Sequence, residues 1–227
     1  MRPMRFSPIR CAALLASSWL AVSLTGCVES SFAKGPDYNQ QFCVERDLRR
    51  KPDAYTAETA RLAFDEECRI GGLDACSALG VMNEVGVGVP VNPKRALTLY
   101  ARACRGGNVR GCTNLAAARV EGIGWPRDPL FAARVLGPAC DHDDPRACLY
   151  LARLHDDGEG TSRDPALAAR LFKVACDGEE MAACVALAEH HANEGDFAAS
   201  TEFYSKACSL GDEGACRKTT MPLISSR

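Results

Sequence analysis

The sequence predicts an all-α protein of stacked helix-turn-helix repeats, each stapled by a disulfide. Three observations carry this reading. Ten of the 13 cysteines form five pairs, Cys68/Cys76, Cys104/Cys112, Cys140/Cys148, Cys176/Cys184 and Cys208/Cys216, whose members stand eight positions apart. Successive pairs recur after 36, 36, 36 and 32 residues, and a fixed spacing inside a fixed period marks a repeat array. Within each period, apolar residues fall at helical spacing and turn formers return in register.

The elements follow from the cysteines. Four positions before the first cysteine of each pair stand Phe64, Tyr100, Leu136, Phe172 and Tyr204, and eight before it Ala60, Ala96, Ala132, Ala168 and Ser200. Residues at i, i+4 and i+8 share one face of a helix, here named B. Its start is marked by Asn92-Pro93, Asp128-Pro129 and Asp164-Pro165, an N-cap followed by a proline that lacks only a donor orphaned there anyway. Three positions after the second cysteine come Leu79, Leu115, Leu151 and Leu187, followed by the small residues Gly80, Ala116, Ala152 and Ala188. A large knob beside a small residue allows close packing, so these define a second helix, A. Gly86/Gly88, Gly122/Gly124 and Gly158/Gly160 end helix A and turn the chain toward the next B. Asn108 and Asp144 are candidate N-caps after the tight turn from B to A.

Each cysteine pair therefore joins the last turn of B to the first turn of A. No Cys-x-x-Cys occurs, and seven intervening residues is not a zinc spacing, so disulfides are preferred over metal ligation. Two irregularities mark the ends of the array. The last interval is short, with Glu194-Gly195-Asp196 replacing the Gly-x-Gly turn. Cys43 lacks a mate near position 35 and stands as a half-pair, free or partnered elsewhere.

The amino terminus carries Arg2, Arg5 and Arg10 before an apolar stretch, 11–24, that is broken by Ser17, Ser18 and Ser23. This is a processing leader rather than a spanning helix. It runs into Leu24-Thr25-Gly26-Cys27, which resembles a bacterial lipobox with Cys27 as the lipidated residue; the alternative is an ordinary signal peptide that contains a cysteine. By the same resemblance, Val28 favours an outer-membrane lipoprotein facing the periplasm. An oxidising periplasm permits the disulfides. Removing the leader leaves 24 basic residues against 29 acidic ones, which argues against nucleic acid and against a polybasic membrane surface. Membrane contact is expected through the lipid anchor alone.

The expected organisation is a leader over 1–26, a tether over 27–36 and an N-terminal capping repeat over 37–70. Repeats follow over 71–106, 107–142 and 143–178, then a shortened repeat over 179–210, a capping helix over 211–219 and a tail over 220–227.

The pattern Leu-Gly-x-x-x-x-x-Gly-x-Gly, followed by an Asp/Asn-Pro-led helix ending near Ala-Cys, resembles the Sel-one-like repeat, a relative of the tetratricopeptide repeats. The paired cysteines resemble its cysteine-rich secreted subgroup. The resemblance implies a right-handed α-solenoid with a concave surface. It also implies a non-catalytic protein–protein interaction scaffold; with the lipobox-like leader, the expected partner is a protein or peptidoglycan-related component of the cell envelope, and no cofactor or metal is expected. The alternative it offers is a β-lactam- or peptidoglycan-directed hydrolase or penicillin-binding protein, for which no catalytic motif matches.

The chain departs from the family pattern four residues after the helix-A leucine, where tyrosine is usual. Here the series is Asn83, Arg119, His155 and His191. Equivalent positions form a ladder, so these residues are candidate donors to an anionic or amide-rich ligand; the competing reading has them at the core edge with polar tips in water. Ser31 and Lys34 reproduce a Ser-x-x-Lys by chance, in the tether and without companion motifs. His190 and Glu194 have metal-sharing i, i+4 spacing but no evident third ligand, so a solvated helix face is the simpler reading.

Overall fold

The computed structural model describes residues 54–220, and among the described residues there are ten α-helices and no strand. The leader, Cys27, the tether, Cys43 and residues 221–227 lie outside the described residues. The B helices are α1 (Ala54–Arg69), α3 (Pro93–Arg105), α5 (Pro129–Asp141), α7 (Pro165–Asp177) and α9 (Phe197–Ser209). The A helices are α2 (Leu73–Val85), α4 (Val109–Glu121), α6 (Pro145–Asp157), α8 (Met181–Asn193) and α10 (Glu213–Thr220). Among the described residues each helix packs on the next, and the B helices from α3 onward pack on the A helices before and after them, giving an α-solenoid of stacked pairs.

The caps explain where the helices begin. Asn92, Asp128 and Asp164 accept from the backbone N–H of Arg95, Phe131 and Leu167 at 3.0, 3.0 and 2.9 Å, with proline next in each case. The shortened repeat loses that proline yet keeps the cap, Asp196 accepting from Ala199 N at 3.1 Å. Asn108 and Asp144 cap α4 and α6. Helices α2, α4 and α6 end on Gly86, Gly122 and Gly158, whose φ values of 79°, 76° and 71° lie in the left-handed region that glycine enters without a Cβ penalty.

All five cysteine pairs are disulfides. The Cα–Cα distances are 4.7 Å for Cys68–Cys76, 4.4 Å for Cys104–Cys112, 4.7 Å for Cys140–Cys148, 4.7 Å for Cys176–Cys184 and 4.6 Å for Cys208–Cys216. The first member of each pair lies in the last turn of a B helix. Its mate (Cys76, Cys112, Cys148, Cys184 or Cys216) lies in the first turn of the next A helix, so each bridge closes the B-to-A turn. The pairs are equivalent in spacing but not in exposure. Cys68 with Cys76 and Cys176 with Cys184 are buried, whereas Cys104 with Cys112 and Cys208 with Cys216 are half-buried.

Tyr100, Leu136, Phe172 and Tyr204 are buried as expected, Tyr100 in one cluster with Leu115 and Phe172 and Tyr204 in another with Leu187. Leu151 departs from the series and is only half-buried. Leu154, on the same face of α6, instead enters the core with Leu136 and Ala139.

The A helices touch one another directly, α2 against α4 and α4 against α6, whereas no two B helices make comparable contact among the described residues. The A helices therefore form the inner, more closely spaced row. Among the described residues, no helix is long and apolar enough to cross a membrane.

Candidate functional site

The inner row begins as a closed polar seam. Asn114 Nδ2 on α4 donates to Ser77 Oγ on α2 at 3.3 Å, and Arg146 Nη1 on α6 donates to Asn114 Oδ1 at 3.1 Å. Thr113 donates to Asp144 at 2.7 Å and Tyr150 to Glu121 at 3.3 Å, while Asn108 donates to Asp74. Ser77, Thr113 and Asn114 are buried, so their polar groups satisfy one another between repeats rather than through solvent. Burial opposes the charge of Arg146, yet Tyr150, Glu180 and Asp144 outweigh it and hold its pKa above the ordinary value. Burial raises the Glu180 carboxyl and outweighs the attraction of Arg146.

Farther along the chain the same row opens. Five positions after the second cysteine stand Val81, Ala117, Arg153 and Glu189; the first two are buried and the last two exposed. Between α6, α8 and the start of α10 lies a groove of about 420 Å³, within the roughly 300–1,000 Å³ typical of ligand sites. Its apolar floor includes Met181, Val185 and Ala186 on α8. Met181 is 37% exposed, an uncovered apolar side chain at the mouth. The rim carries one cation, Arg153, against four carboxylates, Asp156, Asp157, Glu189 and Asp212.

The bridged cysteines stand beneath this row and take no part in it chemically. Cys76, Cys112 and Cys184 open α2, α4 and α8 as disulfide sulfurs, so none offers a thiolate to a ligand or a metal. Cys184 fixes the first turn of α8, the turn that also carries Met181 at the groove mouth.

The rim carboxylates differ in how they are held. Glu189 accepts from Lys218 at 3.0 Å, and Asp212 caps α10 through Ala215 N at 2.6 Å. Lys218 in turn lies 4.6 Å from the Tyr204 ring centroid and donates to its hydroxyl at 2.8 Å. Asp156 and Asp157 form no ion pair among the described residues. Both stand in the last turn of α6, where the helix dipole disfavours negative charge.

The expected ladder of Asn83, Arg119, His155 and His191 takes a different place. Asn83 is 2% exposed and donates to Leu79 O in its own helix at 2.7 Å. Arg119 donates to Pro126 O and, at 2.7 Å, to Asp128. His155 Nδ1 lies 3.3 Å from Ser162 O, and His191 stacks on Phe203 with ring centroids 5.5 Å apart. Arg119 and His155 close their A-to-B loops, His191 packs on the next helix, and Asn83 bonds within its own helix. The backbone also closes the loops: Asn92, Asp128 and Asp164 N–H groups donate to the carbonyls of Asn83, Arg119 and His155 at 2.7, 2.9 and 2.8 Å. The last turn of helix A thus faces its own loop at Arg119 and His155. His190 and His191 both approach Glu194, at 3.4 and 3.7 Å. Among the described residues, no three His, Cys, Asp or Glu side chains are grouped to hold a metal ion.

The groove residues escaped the sequence reading because their signal is a change along a register, from Val81 and Ala117 to Arg153 and Glu189, rather than a motif. Paired antiparallel helices stacked at a constant period, with an inner row of A helices, define a tetratricopeptide-like repeat solenoid. The chain is a Sel1-repeat protein: the model of the Sel1 repeat matches residues 73–108, 145–179 and 182–212. The unmatched stretch between the first two matches folds as the same pair, α4 and α5, with its own staples at Cys112 and Cys140.

Solved structures agree on the fold. A Sel1 repeat protein from Oxalobacter formigenes superposes with a TM-score of 0.64 at 20% identity, over 77% of this chain and 73% of that one. A protective antigen present in uropathogenic Escherichia coli strains, described as displaying an SLR fold, gives 0.63 at 21% identity, over 80% of this chain. This chain spans only 40% of that antigen's length. An immunity protein from Pseudomonas aeruginosa gives 0.57 at 19% identity, over 80% and 70%. None of the curated protein sequences matches this chain.

Proposed function

We propose that this chain is a non-catalytic protein-interaction scaffold that holds a partner against the open half of its inner row. The observation that carries the reading is the groove between α6 and α8, where an apolar floor is left uncovered while the same row is sealed at α2 and α4. Repeat solenoids present such surfaces because each repeat contacts only its neighbours and leaves one face of the array to a ligand. The Sel1 match supports the general role.

The scaffold works outside the cytoplasm, since five local disulfides persist in an oxidising compartment. Attachment through a lipid on Cys27, at the periplasmic face of the outer membrane, follows from the lipobox-like leader. The partner is an envelope protein or a peptidoglycan-related component.

The test places a photo-crosslinking residue at Val185 on the inner row or at Val174 on the opposite side, in the full chain expressed in a bacterial envelope. A discrete adduct from position 185 and none from position 174 is the expected result. Equal adducts from both positions, or none from either, would overturn the scaffold reading. Metabolic labelling with an alkynyl fatty acid, lost in Cys27→Ser, tests the anchor separately.

A further inference from the structure

We propose that the groove between α6 and α8 takes a cationic, aliphatic-bearing peptide segment of its partner, with lysine or arginine side chains on the Asp156/Asp157 rim and an aliphatic side chain on the Met181/Val185 floor. This deepens the scaffold reading and rests on it.

Charge complementarity selects the occupant. Four carboxylates and a single guanidinium surround the groove, so its field is negative at neutral pH. Glu189 already holds Lys218, and Asp212 is engaged at a helix start. Asp156 and Asp157 are left without a counter-ion, at the helix end where carboxylates are least favoured. The equivalent of Asp156 in α2 is Glu84, which accepts from Tyr100 at 2.6 Å, and the equivalent of Asp157 in α4 is Glu121, which accepts from Tyr150 at 3.3 Å. Acidic residues at that end of an A helix are thus partnered within the protein in two repeats and unpartnered only beside the groove. A basic side chain from outside completes the third.

The floor sets the second requirement. Met181 and Val185 lie one helical turn apart on α8, and Ala186 beside them leaves room above the backbone. Methionine adapts its shape to differing aliphatic groups, so the floor selects for size and apolarity rather than for one side chain. An anionic peptide would meet the carboxylates directly, and its desolvation would go unrewarded.

The experiment measures fluorescence anisotropy of the oxidised protein with a fluorescein-labelled peptide of repeating Lys-Leu-Ser. Control peptides replace Lys by Glu or Leu by Ser. The wild type is expected to bind the first peptide and neither control. The double variant Asp156→Lys/Asp157→Lys should weaken binding at least about tenfold, and Met181→Ser should weaken it several-fold. Lysine in the last turn of α6 complements the helix dipole, so the double variant is expected to fold, which a thermal melt checks. Equal binding by wild type and double variant, tighter binding of the glutamate peptide, or no binding of the Lys-Leu peptide would overturn the proposal. The Val185 crosslinks separate the two readings: an adduct undiminished in the double-lysine variant overturns the groove chemistry and leaves the scaffold standing.

Discussion

The Arg119 guanidinium on α4 donates through Nη2 to the Asp128 carboxylate at 2.7 Å, across the loop that joins α4 to α5. Asp128 is also the N-cap of α5, so one carboxylate closes a loop and starts a helix. The Phe131 N–H first, and Arg119 second, hold its pKa below the ordinary 3.8. A carboxyl with a depressed folded pKa stabilises fully above its unfolded value and loses that contribution as pH falls through the folded one. Asp128→Asn retains a capping oxygen but does not titrate. It should melt below the wild type at neutral pH, with the gap closing as the solution is taken below 3.8. A gap independent of pH would show that Asp128 acts through its shape alone. The carboxylate is 41% exposed, so added salt should narrow the neutral-pH gap as well.

Gly80 gives a prediction opposite to the one its repeat suggests. The equivalent positions are Ala116, Ala152 and Ala188, and Gly→Ala inside a helix ordinarily gains about 1 kcal/mol. Here a Cβ would stand 2.4 Å from Tyr100 Cε1. The ring has little freedom to retreat, because Tyr100 is 1% exposed and its hydroxyl donates to Glu84 at 2.6 Å. Overpacking of this kind costs about 1–3 kcal/mol, which exceeds the propensity gain. Gly80→Ala should therefore destabilise by about 1 kcal/mol in urea unfolding. A stabilised variant would mean that α3 shifts easily.

Arg146 ties α6 to α4 and faces Glu180 and Asp144 in the half-buried inner seam. Arg146→Ala removes the donor to Asn114 and the positive charge that most favours the Glu180 carboxylate. Losing a charged donor and leaving the buried Asn114 carbonyl unpaired costs about 1–3 kcal/mol. The Glu180 carboxyl, already raised by burial, should rise further and make the variant less stable as pH increases through its titration. Adding Glu180→Gln should recover part of the loss at neutral pH. Strictly additive losses in the double variant would show that the two side chains do not interact.

The helices, their caps and the staples were legible because each is a local event. An Asp-Pro start, a Gly-x-Gly stop and a cysteine pair announce themselves within a few residues, and the period repeats them until chance is excluded. Spacing placed Cys76, Cys112 and Cys184 at three equivalent helix starts but could not tell that Cys112 alone of the three is half-buried. The ladder from Asn83 to His191 was legible as a ladder but not in its orientation. Whether the last turn of helix A faces a groove or its own loop depends on where the chain turns back, and the Gly-x-Gly turn brings Pro126 and Ser162 onto Arg119 and His155. The groove itself was not legible. It arises where Arg153 and Glu189 replace the buried Val81 and Ala117, and those substitutions gain meaning only when α6 and α8 lie side by side.

The staples at the centre and at the end of the array should fail differently. Each closes a loop of the same length, so loop closure alone assigns about 2.5 kcal/mol to every bridge. In a one-dimensional stack, however, the consequence depends on neighbours. Cys208 and Cys216 join α9 to α10, a helix of 8 residues with only one stapled partner. Replacing both by serine should let α10 fray while α2 through α8 keep their hydrogen-exchange protection. The groove then loses Asp212 from its rim, and Glu189 loses the Lys218 cation. Replacing Cys140 and Cys148, which join α5 to α6 in mid-array, should lower protection on both sides and broaden the thermal transition. Hydrogen exchange resolved by helix is the measurement that separates these patterns. Equal loss of protection in every helix of both variants would mean that the array unfolds as a single unit and that no staple acts locally.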